Sequence, residues 1–333
     1  MRRKAPVTAG PSTTETTTPS LRDRLLPTTI TRWTRGLGWA TLVSQIAIVG
    51  TGGAVRLTGS GLGCPTWPRC TADSYVAVPE MGVHGIIEFG NRMLTFVLVL
   101  VAVLTFLSVI RTRATGRGLV LPAFLVGLYI PIQAVIGGIT VLTGLNPYIV
   151  GLHYLASIVI VSFAAWYVWR IYFDRRDRRS VSPRWLSVTV GAAAVATAVT
   201  LCVGVLTTGS GPHAGDSGAS RNGLDAELLQ HLHSYPAYAL LALTIAVVAG
   251  ARYIRSPLVL RWSSALLGVL IVQIVVGIAQ ARLGLPEILV GIHMVVACCV
   301  AAAMTATCLA LRQPATVLAS PYSAPPVEVA EKA

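Results

Sequence analysis

Residues 133–153 read QAVIGGITVLTGLNPYIVGLH, and residues 273–293 read QIVVGIAQARLGLPEILVGIH. Both segments run from a glutamine to a histidine, with glycines at matching places and no gap between them. Upstream, VRLTGSG (55–61) is matched by VLTTGSG (205–211). Self-similarity at a fixed spacing is typical of a duplicated unit. We therefore predict that the second half of the chain repeats the first.

The repeat lies within a strongly apolar chain, in which 54% of the 333 residues are hydrophobic and 12% are charged. A membrane-spanning helix needs about 20 apolar residues. Eight stretches qualify, and we expect spans near 36–55, 84–109, 119–142, 149–171, 186–207, 228–250, 262–283 and 289–311. The fold predicted is an all-α polytopic membrane protein of eight transmembrane helices. Because four helices separate equivalent positions, the two four-helix bundles should be tandem parallel repeats.

Basic residues predict the orientation, since cytoplasmic loops carry an excess of Lys and Arg. One alternate set of loops, together with both termini, holds 21 of the 26 basic residues. Both termini are therefore predicted to be cytoplasmic, in a multi-pass protein of the bacterial cell membrane, with the loops 56–83 and 208–227 outside. The predicted domains are a disordered tail (1–35), an N-terminal half (36–172), a basic linker (173–185), a C-terminal half (186–311) and a second disordered tail (312–333).

The net charge of +13 does not point to nucleic acid. Its basic residues lie in short runs between apolar segments and form no patch with interleaved aromatic residues, so no nucleic-acid partner is expected. Six cysteines are too few and too scattered for a disulfide scaffold.

Three histidines occupy similar depths in the predicted membrane helices. His153 and His293 are equivalent in the repeat, and His233 lies near the same end of helix 6. A neutral imidazole on a bundle wall is a common ligand of haem iron, and two facing helices can supply both axial positions. A lone histidine would more often bond a neighbouring helix, but a set matched by a repeat favours ligation.

Helix 2 aligns with helix 6, which pairs Glu88 with Gln230 and Asn91 with His233. His231 lies two residues before His233 and points away from it on a helix. We interpret His231 as interfacial, although the two histidines could exchange roles.

Glu88 is the only acidic residue deep in any predicted span. A charge at the centre of a membrane helix costs about 2.5–3.5 kcal/mol on insertion scales, so those that persist are often functional. A buried carboxylate can pass protons. The alternative is a structural ion pair with Arg92, one turn further on. The two roles are compatible, because the arginine could equally bind a haem propionate.

The predicted outer loops contain further candidates. Cys64 and Cys70 flank PTWPR (65–69), close enough in sequence for a disulfide on the oxidising side of the membrane. A structural role for the pair is favoured over a redox role, which stays open. His213 is interpreted as a residue that orders its loop.

Taken together, these motifs resemble those of the haem A synthases, from about Gly36 to Leu311. The motifs that carry the resemblance, in chain order, are VRLTGSGLGCPTWPRC (55–70), EFGNR (88–92), VGLH (150–153), TGSGPHAGD (208–216) and VGIH (290–293).

The resemblance implies an oxidoreductase that converts the methyl group at ring position 8 of haem O into a formyl group, giving haem A for terminal oxidases. It implies a haem b cofactor held by His233 and His293, and a substrate haem site that includes His153, Arg92 and a catalytic Glu88. It places a cysteine pair at Cys64 and Cys70. A haem O synthase, the protohaem farnesyltransferase that forms the substrate, is the implied partner. The electron donor stays unassigned, and small lipid-facing residues allow a homo-oligomer.

This sequence departs from the family pattern at Asn91, where a histidine is usual. Either His153 holds the substrate iron alone, or His84 substitutes for the missing ligand. His84 lies about 10 Å nearer the outer surface than Asn91, so an interfacial role for it is equally plausible.

Two other classes of protein explain part of the pattern. A dihaem electron-transfer cytochrome b explains the histidines, but it requires no glutamate and predicts matched ligands in both halves. A parallel-repeat transporter explains the duplication and the intramembrane polar residues, but it predicts no haem.

Overall fold

In a computed structural model, the chain is described over residue 22 and residues 26–115, 117–173, 178–180 and 182–314. Eight long helices make up most of it: α1 (Arg32–Leu57), α2 (Gly82–Leu107), α3 (Val120–Leu142), α4 (Pro147–Tyr172), α5 (Arg184–Ser210), α6 (Ala226–Tyr253), α7 (Pro257–Arg282) and α8 (Glu287–Ala310). All eight are long and apolar enough to cross a membrane, which confirms the predicted fold class.

Short elements complete the described chain. Two 3-10 turns cover Pro79–Met81 and Thr112–Thr115, and a minimal antiparallel pair joins β1 (Arg178–Ser180) to β2 (Arg312–Pro314). Residues 1–21 and 315–333 of the predicted tails lie outside the described residues, as do 174–177 and 181 of the predicted linker.

Side-chain caps mark the starts of three of the eight long helices, α1, α4 and α6. The Thr31 hydroxyl accepts from the backbone N–H of Thr34, so α1 begins at Arg32, ahead of the boundary expected at residue 36. The Asp225 carboxylate accepts from the N–H groups of Glu227 and Leu228 at the start of α6. Such caps satisfy backbone donors that would otherwise lie unpaired at a helix end.

The segments that match in sequence also make the same turn. Between α3 and α4, Gly144 and Leu145 have φ of 60° and 58°; between α7 and α8, Gly284 and Leu285 have φ of 75° and 61°. A left-handed leucine is uncommon, and here it recurs at equivalent positions. The turn reverses the chain within a few residues, so each pair of helices packs side by side.

Each half of the chain packs as a ring of four helices. In the first half α1–α2, α2–α3, α3–α4 and α1–α4 are neighbours, and the second half repeats this with α5 to α8. Helices α2 and α4, like α6 and α8, therefore lie at opposite corners of their bundles. A side chain from each corner can reach the middle of the bundle, where a flat ligand would be enclosed.

The two bundles meet mainly through α4, α1 and α8. The Tyr154 hydroxyl donates to the backbone carbonyl of Met294 at 3.0 Å, and these two residues are equivalent in the repeat. Their predecessors in sequence are His153 and His293. The contact between the bundles is thus immediately next to two of the three predicted haem ligands.

At the predicted outer end, Arg56 links the loops of the two halves. Its Nε donates to the carbonyl of His213 at 2.7 Å, and its Nη2 donates to that of Thr208 at 3.0 Å. His213 in turn donates from Nε2 to the carbonyl of Leu285 at 2.9 Å. These bonds agree with a loop-ordering role for His213 and connect the ends of α1, α5 and α7.

Candidate haem-binding site

His233 and His293 face each other across the second bundle. Their imidazole centroids are 6.4 Å apart, and the ring planes are inclined at 68°. His293 is the seventh residue of α8 and His233 the eighth of α6, so both lie about two turns in from the same end.

This separation suits an iron between the two rings. A metal–imidazole bond is about 2 Å, and the bonding nitrogen lies about 1 Å from the ring centre, so two rings on one metal have centroids about 6 Å apart. The observed 6.4 Å is close to that value. The two residues therefore fit the axial ligands of one haem.

A backbone bond orients the His233 ring for this purpose. Its Nδ1 lies 3.0 Å from the carbonyl oxygen of Thr200 on α5. Because a carbonyl can only accept, Nδ1 carries the proton and the neutral ring keeps Nε2 free to bind a metal. A bond of this kind is what fixes the tautomer of metal-binding histidines.

A glycine on the preceding helix makes room for each of the three intramembrane imidazoles. A Cβ built at these glycines would lie within 3.3 Å of the ring: Gly137 against His153, Gly204 against His233, and Gly277 against His293. The matching of Gly137 with Gly277 was visible in the sequence, but its purpose was not. Gly204 was missed altogether, because its role depends on how α5 and α6 are rotated against each other.

The Gly204→Ala substitution is expected to displace the His233 ring and to weaken haem binding about 10- to 100-fold, the usual effect of disturbing the surroundings of a metal ligand. The added Cβ would lie 2.8 Å from Cε1 of His233. Alanine favours helix more than glycine does, so a loss of haem affinity cannot come from a lower helix propensity. Haem titration into the purified variant measures the effect.

Gly191→Ala is the control for this prediction, since it lies on the same helix with nothing within 4 Å of its Cβ position. Equal haem affinity in the two variants would contradict the steric argument.

In the first bundle, His153 is the seventh residue of α4, as His293 is of α8. Its Nδ1 is buried without a hydrogen-bond partner among the described residues. Its backbone carbonyl accepts from the Gln133 side chain at 3.3 Å, as that of His293 accepts from Gln273 at 3.1 Å. The two halves thus hold these histidines in the same way.

Asn91 is half-buried on α2 and contacts α1. Its Oδ1 accepts from the Thr51 hydroxyl at 2.8 Å. In both halves, therefore, the residue at this position bonds to the preceding helix: Asn91 to the Thr51 hydroxyl, and His233 to the Thr200 carbonyl. Sequence reasoning did not identify Thr51.

Glu88 and Arg92 form the ion pair that we considered from their spacing, at 2.6 Å between Oε1 and Nη2. The other carboxylate oxygen, Oε2, accepts from the backbone N–H of Cys64 at 2.5 Å. The Glu88 side chain is 7% exposed. Its charge is therefore balanced by one guanidinium and one backbone donor inside the bundle.

Arg92 also holds the loop that follows α1. Its two terminal nitrogens donate to the carbonyls of Cys64, Thr66 and Arg69 at 3.0–3.2 Å. All these bonds lie within or beside the ring closed by the Cys64–Cys70 disulfide, which is present, with both cysteines fully buried. The disulfide loop and the glutamate are thus one connected unit.

Trp67, within that loop, reaches down to α3. A Cβ at Gly138 would lie 2.3 Å from the Trp67 indole, so the ring rests directly on the helix backbone. The neighbouring Gly137 faces His153. The disulfide loop therefore covers the end of the first bundle next to the predicted substrate site.

The remaining candidates lie nearer the surface. His84 is exposed, and its Nδ1 is hydrogen-bonded to the Ser60 hydroxyl at 2.9 Å. His231 is exposed on α6. The described residues contain no group of three or more His, Cys, Asp or Glu side chains arranged to hold a bare metal ion.

Comparison with known proteins agrees with the resemblance seen in the motifs. Residues 35–215 match the family described as COX15-CtaA, cytochrome oxidase assembly protein. A protein of Bacillus pumilus named Heme A synthase is 34% identical over 127 residues, which is 38% of this chain and 39% of the relative. Another of that name, from Lysinibacillus sphaericus, is 34% identical over 137 residues, or 40% of this chain and 43% of the relative.

These matches cover less than half the length of either relative. The family match ends at residue 215, before α6 begins, so it includes Glu88 and His153 but neither His233 nor His293. The geometry of the second bundle is thus evidence separate from the family match.

Proposed function

Because the chain belongs to the COX15-CtaA family of cytochrome oxidase assembly proteins, we propose that it is a haem A synthase of the bacterial cell membrane. It oxidises the methyl group at ring position 8 of haem O to a formyl group. The observation that carries this proposal is the pair His233 and His293, 6.4 Å apart across the second bundle.

The resident cofactor in this proposal is haem b, held by His233 and His293. When bound, it would relay electrons between the substrate site and a membrane redox partner. The chain supports it through the Thr200 carbonyl, which orients His233, and through Gly204 and Gly277, which leave room for the two rings. The disulfide loop lies over the first bundle, where the substrate binds, whereas haem b lies in the second. The two haem sites therefore differ in how they are covered.

The substrate haem O binds in the first bundle, with His153 as a ligand of its iron and Asn91 on the opposite wall. When water supplies the oxygen atom, each oxidation of the methyl carbon releases protons as well as electrons, and the electrons must pass to a membrane acceptor. Glu88 is the group that takes up those protons, since its carboxylate oxygens each accept only one hydrogen bond and keep a lone pair free. Arg92 stabilises the ionised carboxylate through Oε1 and would also attract a haem propionate.

The partners in this proposal follow from the chemistry. A haem O synthase must supply the farnesylated substrate, and a membrane donor or acceptor must exchange electrons with haem b.

In this proposal the two bundles are tandem copies and both termini face the cytoplasm. The histidines lie near the opposite ends of the helices, so the haem sites are near the outer leaflet.

Pigment extraction tests the proposed function. The chain is expressed together with a haem O synthase in a host that makes haem O but no haem A. We expect haem A to appear, and the His153→Ala variant to accumulate haem O instead. A purified wild-type protein that carries two haems while the cells contain no haem A would favour the electron-transfer cytochrome; a protein without haem would favour the transporter.

A further inference from the structure

Asn91 stands where the repeat would place an iron ligand. It aligns with His233, and α2 and α4 lie at opposite corners of the first bundle, as α6 and α8 do in the second. Asn91 is therefore opposite His153. The role of Asn91 at this position rests on the proposed function, in which the first bundle binds haem.

The structure engages the Asn91 side chain with the neighbouring helix. Its Oδ1 accepts the Thr51 hydroxyl at 2.8 Å, and a Cβ at Gly52 would lie 4.0 Å from its Nδ2. An amide nitrogen has no lone pair available for iron, and the amide oxygen is turned towards the Thr51 hydroxyl on the neighbouring helix. Asn91 therefore lines the wall of the site without serving as a ligand.

His84 is too far along α2 to replace it. It is the third residue of the helix and Asn91 the tenth, so about 10 Å of helix separates them. The His84 ring is hydrogen-bonded to Ser60. The backbone of Gly63, next to the disulfide loop, packs directly on the His84 carbonyl oxygen. The structure thus places His84 against the loop at the start of α2 and not beside Asn91.

The remaining histidines are accounted for as well. The sequence contains six. His213 is bonded to Leu285 in the loops, and the other three, His231 and His233 on α6 and His293 on α8, belong to the second bundle. No second imidazole is therefore available on the wall opposite His153.

We propose that the haem in the first bundle has a single protein ligand, His153, and that its other face opens onto the polar pair Asn91 and Thr51. The position opposite His153 is then free for a small molecule. The second bundle differs, because both of its axial positions are filled by histidine. The two halves of one duplicated fold thus have different coordination, and the difference comes from one substitution, at residue 91.

Carbon monoxide distinguishes the two kinds of site, since it binds ferrous haem only where an axial position is open. The purified full chain, loaded with haem to saturation and reduced, should bind two haems and about one carbon monoxide. Asn91→His should abolish that binding and add a low-spin signal. His84→Ala should leave it unchanged. The low-spin spectrum of the second bundle, retained in each variant, shows that the protein is folded.

A second measurement avoids reliance on the Asn91→His protein. Free imidazole added to the oxidised wild type, without carbon monoxide, should bind at the open position and convert the same haem from the high-spin to the low-spin form. The proposal is overturned if the saturated wild type binds no carbon monoxide, if binding appears only in His84→Ala, or if only one haem can be loaded. Formation of haem A without carbon monoxide binding would refute this inference alone. Binding of carbon monoxide without haem A formation would refute the proposed activity alone.

Discussion

Purified His293→Ala protein is expected to lose the low-spin b-type haem spectrum completely. The wild-type chain holds the His233 and His293 rings at a centroid separation of 6.4 Å, a distance that fits one imidazole on each side of the proposed iron. Alanine leaves that iron with one ligand, and an iron with a single imidazole is no longer low-spin. Optical and electron paramagnetic resonance spectra of the variant measure the change.

His231→Ala is the control for this prediction, since it removes an exposed imidazole from α6 only two residues from His233. It should leave the low-spin spectrum intact. An unchanged spectrum in His293→Ala, or an equal loss in His231→Ala, would show that the pair does not bind the cofactor. The electron-transfer cytochrome and the haem A synthase share this expectation, so the experiment tests the cofactor site independently of the reaction.

The fold was predictable because its main signal is long-range and redundant. Eight apolar stretches and a repeat, whose most similar segments 133–153 and 273–293 align without a gap, each indicate the same arrangement. The helix ends were less predictable: α1 extends from Arg32 to Leu57, whereas hydropathy placed it at 36–55. Hydropathy detects apolar residues, but the ends are determined by caps such as Thr31 and by polar residues that continue the helix beyond the membrane.

The candidate site was predictable only in part, for a related reason. Depth along a helix can be counted from sequence, which is how His153, His233 and His293 were placed at one level; the pairing of His233 with His293 was implied by the resemblance to the haem A synthases. Rotation about the helix axis and the contacts between helices cannot be counted in this way. The contact of Thr51 with Asn91 and the place of Gly204 beside His233 depend on that rotation and could be identified only in the structure.

Arg92 illustrates the same limit. Its spacing from Glu88 allowed an ion pair, a contact with a haem propionate, or both. The structure shows the ion pair, and it adds three carbonyls of the disulfide loop as further acceptors. Such loop contacts leave no periodic pattern in a sequence. The connection between the disulfide loop and the glutamate was therefore invisible before the structure.

Glu88→Gln is expected to accumulate haem O in cells and to lower haem A about 10²-fold or more, the usual contribution of a positioned acid or base. Glutamine matches glutamate in size but cannot accept a proton at neutral pH. Its amide NH2 group takes the place of one carboxylate oxygen and cannot accept a hydrogen bond. The variant therefore loses either the bond from Arg92 or that from the Cys64 N–H. Haem extraction from cells that also express a haem O synthase measures the ratio of haem O to haem A.

The difficulty is that Glu88 both holds the loop and is proposed to carry protons, and Arg92→Gln separates these roles. That variant removes the bonds to the carbonyls of Cys64, Thr66 and Arg69 and the ion pair with Glu88, but keeps the carboxylate itself. If loop order alone matters, both variants should lower thermal stability and haem A formation together. If the carboxylate acts in the chemistry, Glu88→Gln should lose more haem A than Arg92→Gln at equal or smaller loss of stability. Normal haem A levels in Glu88→Gln would exclude Glu88 from the reaction. A second carboxylate could not have replaced it, because no other acidic side chain lies at that depth in the described helices.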